Sequence, residues 1–210
     1  GRVPVQISLS EERGGAIYTV TGRDAGTALS ALGIIQSVRN GDFRAEISQI
    51  DGRTSGNFQI ERVRVRNASP VVALLDSISV VGLLQQLDGE GLVFQTVRGR
   101  FELEDKGVHV WDLSAVGASL GFTTRGYYQF SDKSLNLEGT VTPIYALNGV
   151  FERVFRKASG RERGEGLFSF VYRMKGPATD PSVRVNPLSI LFPGVTREIW
   201  RSRMPRLPKD

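Results

Sequence analysis

Apolar and polar residues alternate with period two along most of this chain, the spacing that places every second side chain on one side of an extended strand. Val3, Val5, Ile7 and Leu9 alternate with Pro4, Gln6, Ser8 and Ser10, and Phe43, Ala45 and Ile47 alternate with Arg44, Glu46 and Ser48. From Val93 onward, Val97, Phe101 and Leu103 oppose Arg98, Arg100, Glu102 and Glu104, so a slip of one residue would turn every charge inward. Leu120, Phe122, Tyr128 and Phe130 continue the pattern, as do Leu135, Leu137 and Val141, then Phe168, Phe170, Tyr172 and Met174, and last Val183 and Val185. Between Ile60 and Val63 the parity of apolar positions shifts, which a β-bulge near Glu61 and Arg62 accounts for. Asn40-Gly41, Asp51-Gly52, Asp105-Lys106-Gly107 and Ser131-Asp132-Lys133 read as turns between strands, and connections so short imply mainly antiparallel neighbours.

Four segments switch to helical period. Three begin with a capping residue followed by proline, which is preorganised for a first helical turn: Ser69-Pro70, Thr142-Pro143 and Asn186-Pro187. The Ser69 helix aligns Leu74, Leu75, Ile78 and Val81 and is expected to end near Gly89; the Thr142 helix aligns Ile144, Leu147, Phe151 and Phe155. The earliest helix is capped by Asp24 and presents Ala28, Leu29, Leu32 and Ile35. The predicted class is therefore mainly β (α+β): a mostly antiparallel sheet with three or four short amphipathic helices. With 210 residues, one domain or one elongated segment covers 1–210, and the charged, glycine-rich stretch 157–166 reads as a mobile surface loop.

Composition narrows this picture. Apolar residues are 40% and charged residues 23% of the chain, which argues for a packed fold and against both disorder and a membrane-spanning bundle. The most hydrophobic stretch, Val71 to Leu84, is broken by Asp76, Ser77 and Ser79 and falls short of the roughly 20 apolar residues that a bilayer span needs. Gly1-Arg2-Val3-Pro4-Val5 reads as the start of a strand rather than a leader, which predicts a piece of a longer protein with any membrane anchor upstream. The absence of cysteine excludes disulfides, thiolate zinc sites and Cys nucleophiles. A net charge of +5 favours anionic partners only weakly, because 27 basic and 22 acidic residues are interspersed.

No catalytic constellation emerges, and neither a cofactor nor a metal is expected. The single histidine, His109, sits between Val108 and Val110 in a strand, outside any nucleophile-elbow motif, and is read as structural. Gly89-Glu90-Gly91 precedes a strand instead of opening a helix, so it is no phosphate loop. Glu102, Glu104 and Asp105 lie among basic residues on a solvated face. The aromatic residues occupy apolar strand faces rather than alternating with Lys and Arg, which gives no stacking platform for nucleic acid.

The run Leu135-Asn136-Leu137-Glu138-Gly139-Thr140-Val141-Thr142-Pro143-Ile144-Tyr145-Ala146-Leu147-Asn148, followed by Tyr172-Arg173-Met174-Lys175-Gly176-Pro177, by Asp180-Pro181-Ser182-Val183-Arg184-Val185-Asn186-Pro187-Leu188 and by Pro193-Gly194, resembles the C-terminal region of AsmA-like proteins. The segment from Asp24 through Asp88-Gly89-Glu90-Gly91-Leu92 is similar in arrangement, so the resemblance covers nearly the whole chain. It implies a non-enzymatic, inner-membrane-anchored periplasmic protein whose curved sheet forms a groove that carries phospholipid toward the outer membrane. Groove candidates are Phe43, Ile47, Val97, Phe101, Leu103, Leu120, Phe122, Leu135, Leu137, Phe168, Phe170 and Tyr172, with phospholipid acyl chains as the partner. Two other readings stay open: a closed two-layer domain without a groove, and a module that docks an outer-membrane protein or assembly factor through a sheet edge. In the basic tail, which includes 201–210, Arg197, Trp200, Arg201 and Arg203 are candidates for contact with an anionic membrane surface, although Pro205 and Pro208 oppose an ordered helix there.

Overall fold

The computed structural model describes residues 5–12, 14–78, 81–143 and 169–186. They form one open antiparallel sheet of eleven strands with three short helices. In chain order these are β1 (Val5–Glu12), β2 (Gly15–Gly22), α1 (Ala25–Ala31), β3 (Val38–Arg39), β4 (Asp42–Ile50), β5 (Arg53–Val65), α2 (Ser69–Ser77), α3 (Val81–Asp88), β6 (Leu92–Glu104), β7 (Gly107–Gly117), β8 (Leu120–Gln129), β9 (Ser134–Pro143), β10 (Phe170–Pro177) and β11 (Ser182–Asn186). The sheet runs β1-β2-β4-β5-β6-β7-β8-β9-β10-β11, with the two-residue β3 set against β5.

Neighbours in sequence are neighbours in space because the turns are tight. Asp51 and Gly52 both take positive φ, 49° and 75°, and Ile50 pairs directly with Arg53, the backbone twist that suits a two-residue hairpin. Asp105 and Lys106 close β6 onto β7, so Gly107 already belongs to the strand. Before β9, the Ser134 backbone N–H donates to the Asp132 carboxylate at 3.1 Å, and this turn hydrogen bonding, with the Ser134 side chain contributing most, holds Asp132 below its ordinary range. Asn40-Gly41 differs from expectation: β4 pairs with β2, not β3, so no hairpin closes there. Instead the Asn40 and Gly41 carbonyls accept from the Gly26 and Ala25 N–H groups at 3.1 and 2.8 Å, satisfying amides that a helix start leaves without intrahelical partners.

Register carries the apolar alternation from strand to strand. A single row of paired residues, Ile7, Val20, Ala45, Phe58, Gly99, Leu113, Thr124, Gly139, Tyr172 and Val185, crosses all ten consecutive strands on one face. A parallel row runs through Phe43, Ile60, Val97, Ala115, Phe122, Val141 and Phe170. Three irregularities keep that face apolar. At Arg62, where φ is 54°, the alternation along β5 breaks with its register against β6 unshifted, so the expected bulge of β5 is not found there, whereas between Phe94 and Thr96 β6 carries one residue more than β7; Val63 and Phe94 thereby return to the buried side. Between Val110 and Leu113, β7 carries one residue more than its partners, Trp111, whose ring lies 4.0 Å from that of His109 on the polar face.

Helices cover the C-terminal part of the apolar face. Leu74 and Leu75 of α2 and Leu87 of α3 join Leu92, Phe94, Ala115, Leu120, Leu135, Val141, Tyr172 and Met174 in one core. The two helices pack on each other, α2 also on β10 and β11, and α3 on β6. Sequence expectation is corrected here in several places. Ala68, not Ser69, is the α2 N-cap, Ser69 being already helical ahead of Pro70. The single long helix is two, α2 ending at Ser77, whose hydroxyl donates to the Ala73 carbonyl at 2.7 Å and competes with the helical ladder. In α1 the Asp24 cap forms as expected, accepting from the Thr27 N–H at 2.9 Å, but the helix stops at Ala31 before a left-handed Gly33 (φ 70°), which leaves Leu32 and Ile35 exposed. Thr142 and Pro143 end a strand rather than start a helix: they pair with Gly121 and Leu120, and the Thr142 and Ser169 hydroxyls lie 2.7 Å apart. Asn186 likewise closes β11 opposite Val171. The helical stripe from Ile144 to Phe155, any helix after Asn186, the 157–166 loop and the basic tail lie outside the described residues.

Candidate functional site: an apolar sheet face

The face that bears the groove candidates divides into a covered and an open part. Leu120, Leu135 and Tyr172 are core residues, with Leu120 only 1% exposed. Phe43, Ile47, Val97, Phe101, Phe122, Leu137 and Phe170 are half-buried, and Leu103 is exposed. All ten share one side of the sheet with Leu103, in register. Phe168, Arg197, Trp200, Arg201 and Arg203 lie outside the described residues.

The open part lies toward β1, where Ile7 is 67% and Leu9 58% exposed and Val5 is exposed too. These three alternate as cleanly as any strand in the chain, and the signal that marks them as part of the same face is their pairing with Val20, Tyr18 and Gly22. Sequence reasoning did not include them among the candidates, because alternation alone does not say which end of a sheet helices will cover. Apolar surface left open in a contiguous patch is where a ligand or partner gains most from desolvation.

Close packing across the face relies on glycine opposite aromatic rings. Tyr172 stands opposite Gly139, where an added Cβ would come within 1.9 Å of the Thr123 carbonyl oxygen. The Tyr172 hydroxyl donates to that same carbonyl at 3.1 Å, and burial pushes its pKa up to about 12. Phe94 and Phe122 meet edge to face at 5.6 Å over β7, where the intervening positions are Ala115 and Gly117.

The opposite face is polar and charged. Arg100 makes a bidentate pair with Asp112, and Arg125 and Arg173 both reach Glu138. Burial raises the Glu138 pKa, but the hydrogen bond and charge of Arg125, with Arg173 behind them, outweigh it and hold the carboxyl below its ordinary range. Two clefts open on this side. One is lined by Arg44, Gln59, Arg98, Arg100 and Asp112, the other by Arg125, Glu138, Arg173, Lys175 and Arg184. His109 packs between Trp111 and Tyr127, at 4.0 and 6.5 Å between ring centres. Among the described residues no three His, Asp or Glu side chains gather into a metal-binding group, and no helix is long and apolar enough to cross a membrane. Compared with protein-family models, with curated proteins and with solved structures, the chain finds no match.

Proposed function

We propose that this chain is a non-enzymatic lipid-binding segment of a periplasmic protein that bridges inner and outer membranes, with phospholipid acyl chains lying along the apolar sheet face. The observation that carries this reading is the in-register apolar face that spans ten strands yet leaves Val5, Ile7 and Leu9 open on β1 and Leu103 open at the end of β6. An acyl chain suits such a surface, because a strip of aliphatic and aromatic side chains gives area without directional polar groups. The AsmA-like motifs from Leu135 to Pro187 support the same assignment. Mass spectrometry after gentle purification tests it: acyl lipid should accompany the native chain and be depleted in an Ile7→Asp/Leu9→Asp variant that melts normally. Lipid-free wild-type protein, or equal lipid in both, would defeat the reading.

A second reading is favoured by one observation, that among the described residues β1 ends the sheet order, with its outer side placed for strand addition. On that reading the chain docks an outer-membrane protein or assembly factor. A stoichiometric protein partner that slows hydrogen exchange at the β1 amides, with no lipid bound, would favour docking over carriage.

A further inference from the structure

The polar face sets like charges directly opposite one another at several places, Arg39 against Arg64 and Asp42 against Glu61 among them, and one such place opens onto a cleft. Arg125, Glu138, Arg173 and Arg184 stand directly opposite one another on β8, β9, β10 and β11, forming one cross-strand row. Arg125 and Arg173 both reach the one carboxylate of the row, and Arg173 faces Arg184 directly across the next pair of strands. Like charges directly opposite on adjacent strands are destabilising. Lys175 adds a fourth cation on the same face of β10, one pair-step along the strand. Among the described residues Lys175 and Arg184 meet no carboxylate. The row floors a cleft of about 630 Å³, which Thr140 and Ser182 also line with hydroxyls. Elsewhere on this face Arg100 is balanced by Asp112 and Arg44 by Glu46.

We infer that this row is a binding site for a phosphate group, presented either by a lipid headgroup or by a small soluble phosphate. Arginine forks donate paired, charge-assisted hydrogen bonds to phosphate oxygens, and a dianion set between Arg173 and Arg184 offsets the repulsion between these two guanidinium groups. Glu138 is the site's internal competitor, since it occupies Arg125 and turns part of Arg173 away from the ligand. Arg173 is well exposed, so its guanidinium can swing to the cleft without unpacking the sheet. The site lies on the side opposite the apolar rows and does not depend on what those rows carry.

Two probes separate the sources: inorganic phosphate by calorimetry, and phosphatidylglycerol vesicles by co-sedimentation against phosphatidylcholine vesicles, all at low ionic strength. Arg173→Gln/Arg184→Gln should weaken binding about a hundredfold or more, since each charge-assisted hydrogen bond lost costs about tenfold or more. Arg44→Gln/Arg98→Gln, the same change of charge elsewhere on this face, should stay within about twofold. Glu138→Gln should tighten binding several-fold by removing the carboxylate that competes for Arg173, with thermal melting confirming that the variant folds. Phosphate binding that follows this pattern identifies a small soluble ligand, and vesicle binding alone that follows it identifies a headgroup; both support the site. Equal losses in the two double variants, indifference to Glu138→Gln, or no binding of either probe would overturn it.

Discussion

The ring of Phe101 covers the bare α-carbon of Gly56, its direct partner across β5 and β6, while two residues along Phe58 covers Gly99 in the opposite sense. The two rings lie 6.4 Å apart. Each glycine is thus the seat of an aromatic side chain from the neighbouring strand, a device that recovers packing where glycine alone would weaken a sheet.

A side chain at Gly56 has no room. Its Cβ would stand 2.6 Å from the Glu46 carbonyl oxygen and 2.8 Å from the Phe101 ring. Gly56→Ala should destabilise by about 1–3 kcal/mol through overpacking. Gly121 supplies the contrast: the nearest atom to an added Cβ is 3.8 Å away, so Gly121→Ala should be neutral to slightly stabilising, within about 0.5 kcal/mol. Urea unfolding of both variants checks the pair, and equal effects would mean that the ring of Phe101 gives way freely.

Burial divides the apolar face into positions that hold the fold and positions that do not. Leu75 is fully buried among the sheet residues that α2 covers, and Leu75→Ala should cost about 2–5 kcal/mol, transfer and cavity terms together. Leu103 lies on the same face at an exposed end of β6, so Leu103→Asp should leave the domain folded, within about 1 kcal/mol, because its carboxylate stays hydrated. On the proposed reading the second variant loses lipid while keeping its melting temperature. Unfolding by Leu103→Asp would instead make the open end part of a closed core.

The faces of this sheet were legible in the sequence because side-chain period in a strand is invariant, so Ile7 and Tyr172 can be placed on one side without knowing what lies between them. The parity change at Arg62 was legible for the same reason, since Val63 keeps the apolar side only if the alternation breaks, but the break comes from a positive φ in an unshifted register and not from an added residue. The bulge at Trp111 was not legible, since Val110 and Trp111 are both apolar and neither parity stands out. Helix limits were misread where a local signal has two outcomes. Pro143 suits the first turn of a helix and equally the last residue of a strand, and only its pairing with Leu120 decides. Coverage was the part least accessible, because the helical stripe of Leu74 and Leu75 says that α2 wants burial but not that it reaches β10 and β11. The charge row through Arg125, Glu138, Arg173 and Arg184 needs the register of four strands before it exists at all.

His109 is structural on the proposed reading. Its ring rests against Trp111 at 4.0 Å on the polar face. His109→Gln should cost no more than about 1 kcal/mol, the scale of one aromatic contact. Function in cells should be unaffected at normal protein level. A specific loss of function in a normally folded His109→Gln protein would point to chemistry at this ring.

Tyr172 makes the stability of the sheet sensitive to alkali. Its hydroxyl is buried beside the Thr123 carbonyl, and burial raises its pKa from 10.0 in the unfolded chain to about 12 in the fold. Below pH 10 both states hold the proton and the full stability is present. As pH rises from 10 toward 12 the unfolded chain ionises first and gains free energy that the folded chain cannot share, so stability falls. Two pKa units correspond to about 2–3 kcal/mol lost across that window. Tyr172→Phe removes the titration and also the hydrogen bond, so the variant should be about 1 kcal/mol less stable at neutral pH. Its stability should then fall less steeply than wild type between pH 10 and 12, and the two curves should converge or cross. Urea midpoints at neutral pH, pH 10 and about pH 11.5 measure this difference directly, with every other tyrosine common to both proteins. Parallel decline of the two curves would mean that the Tyr172 hydroxyl is in contact with water.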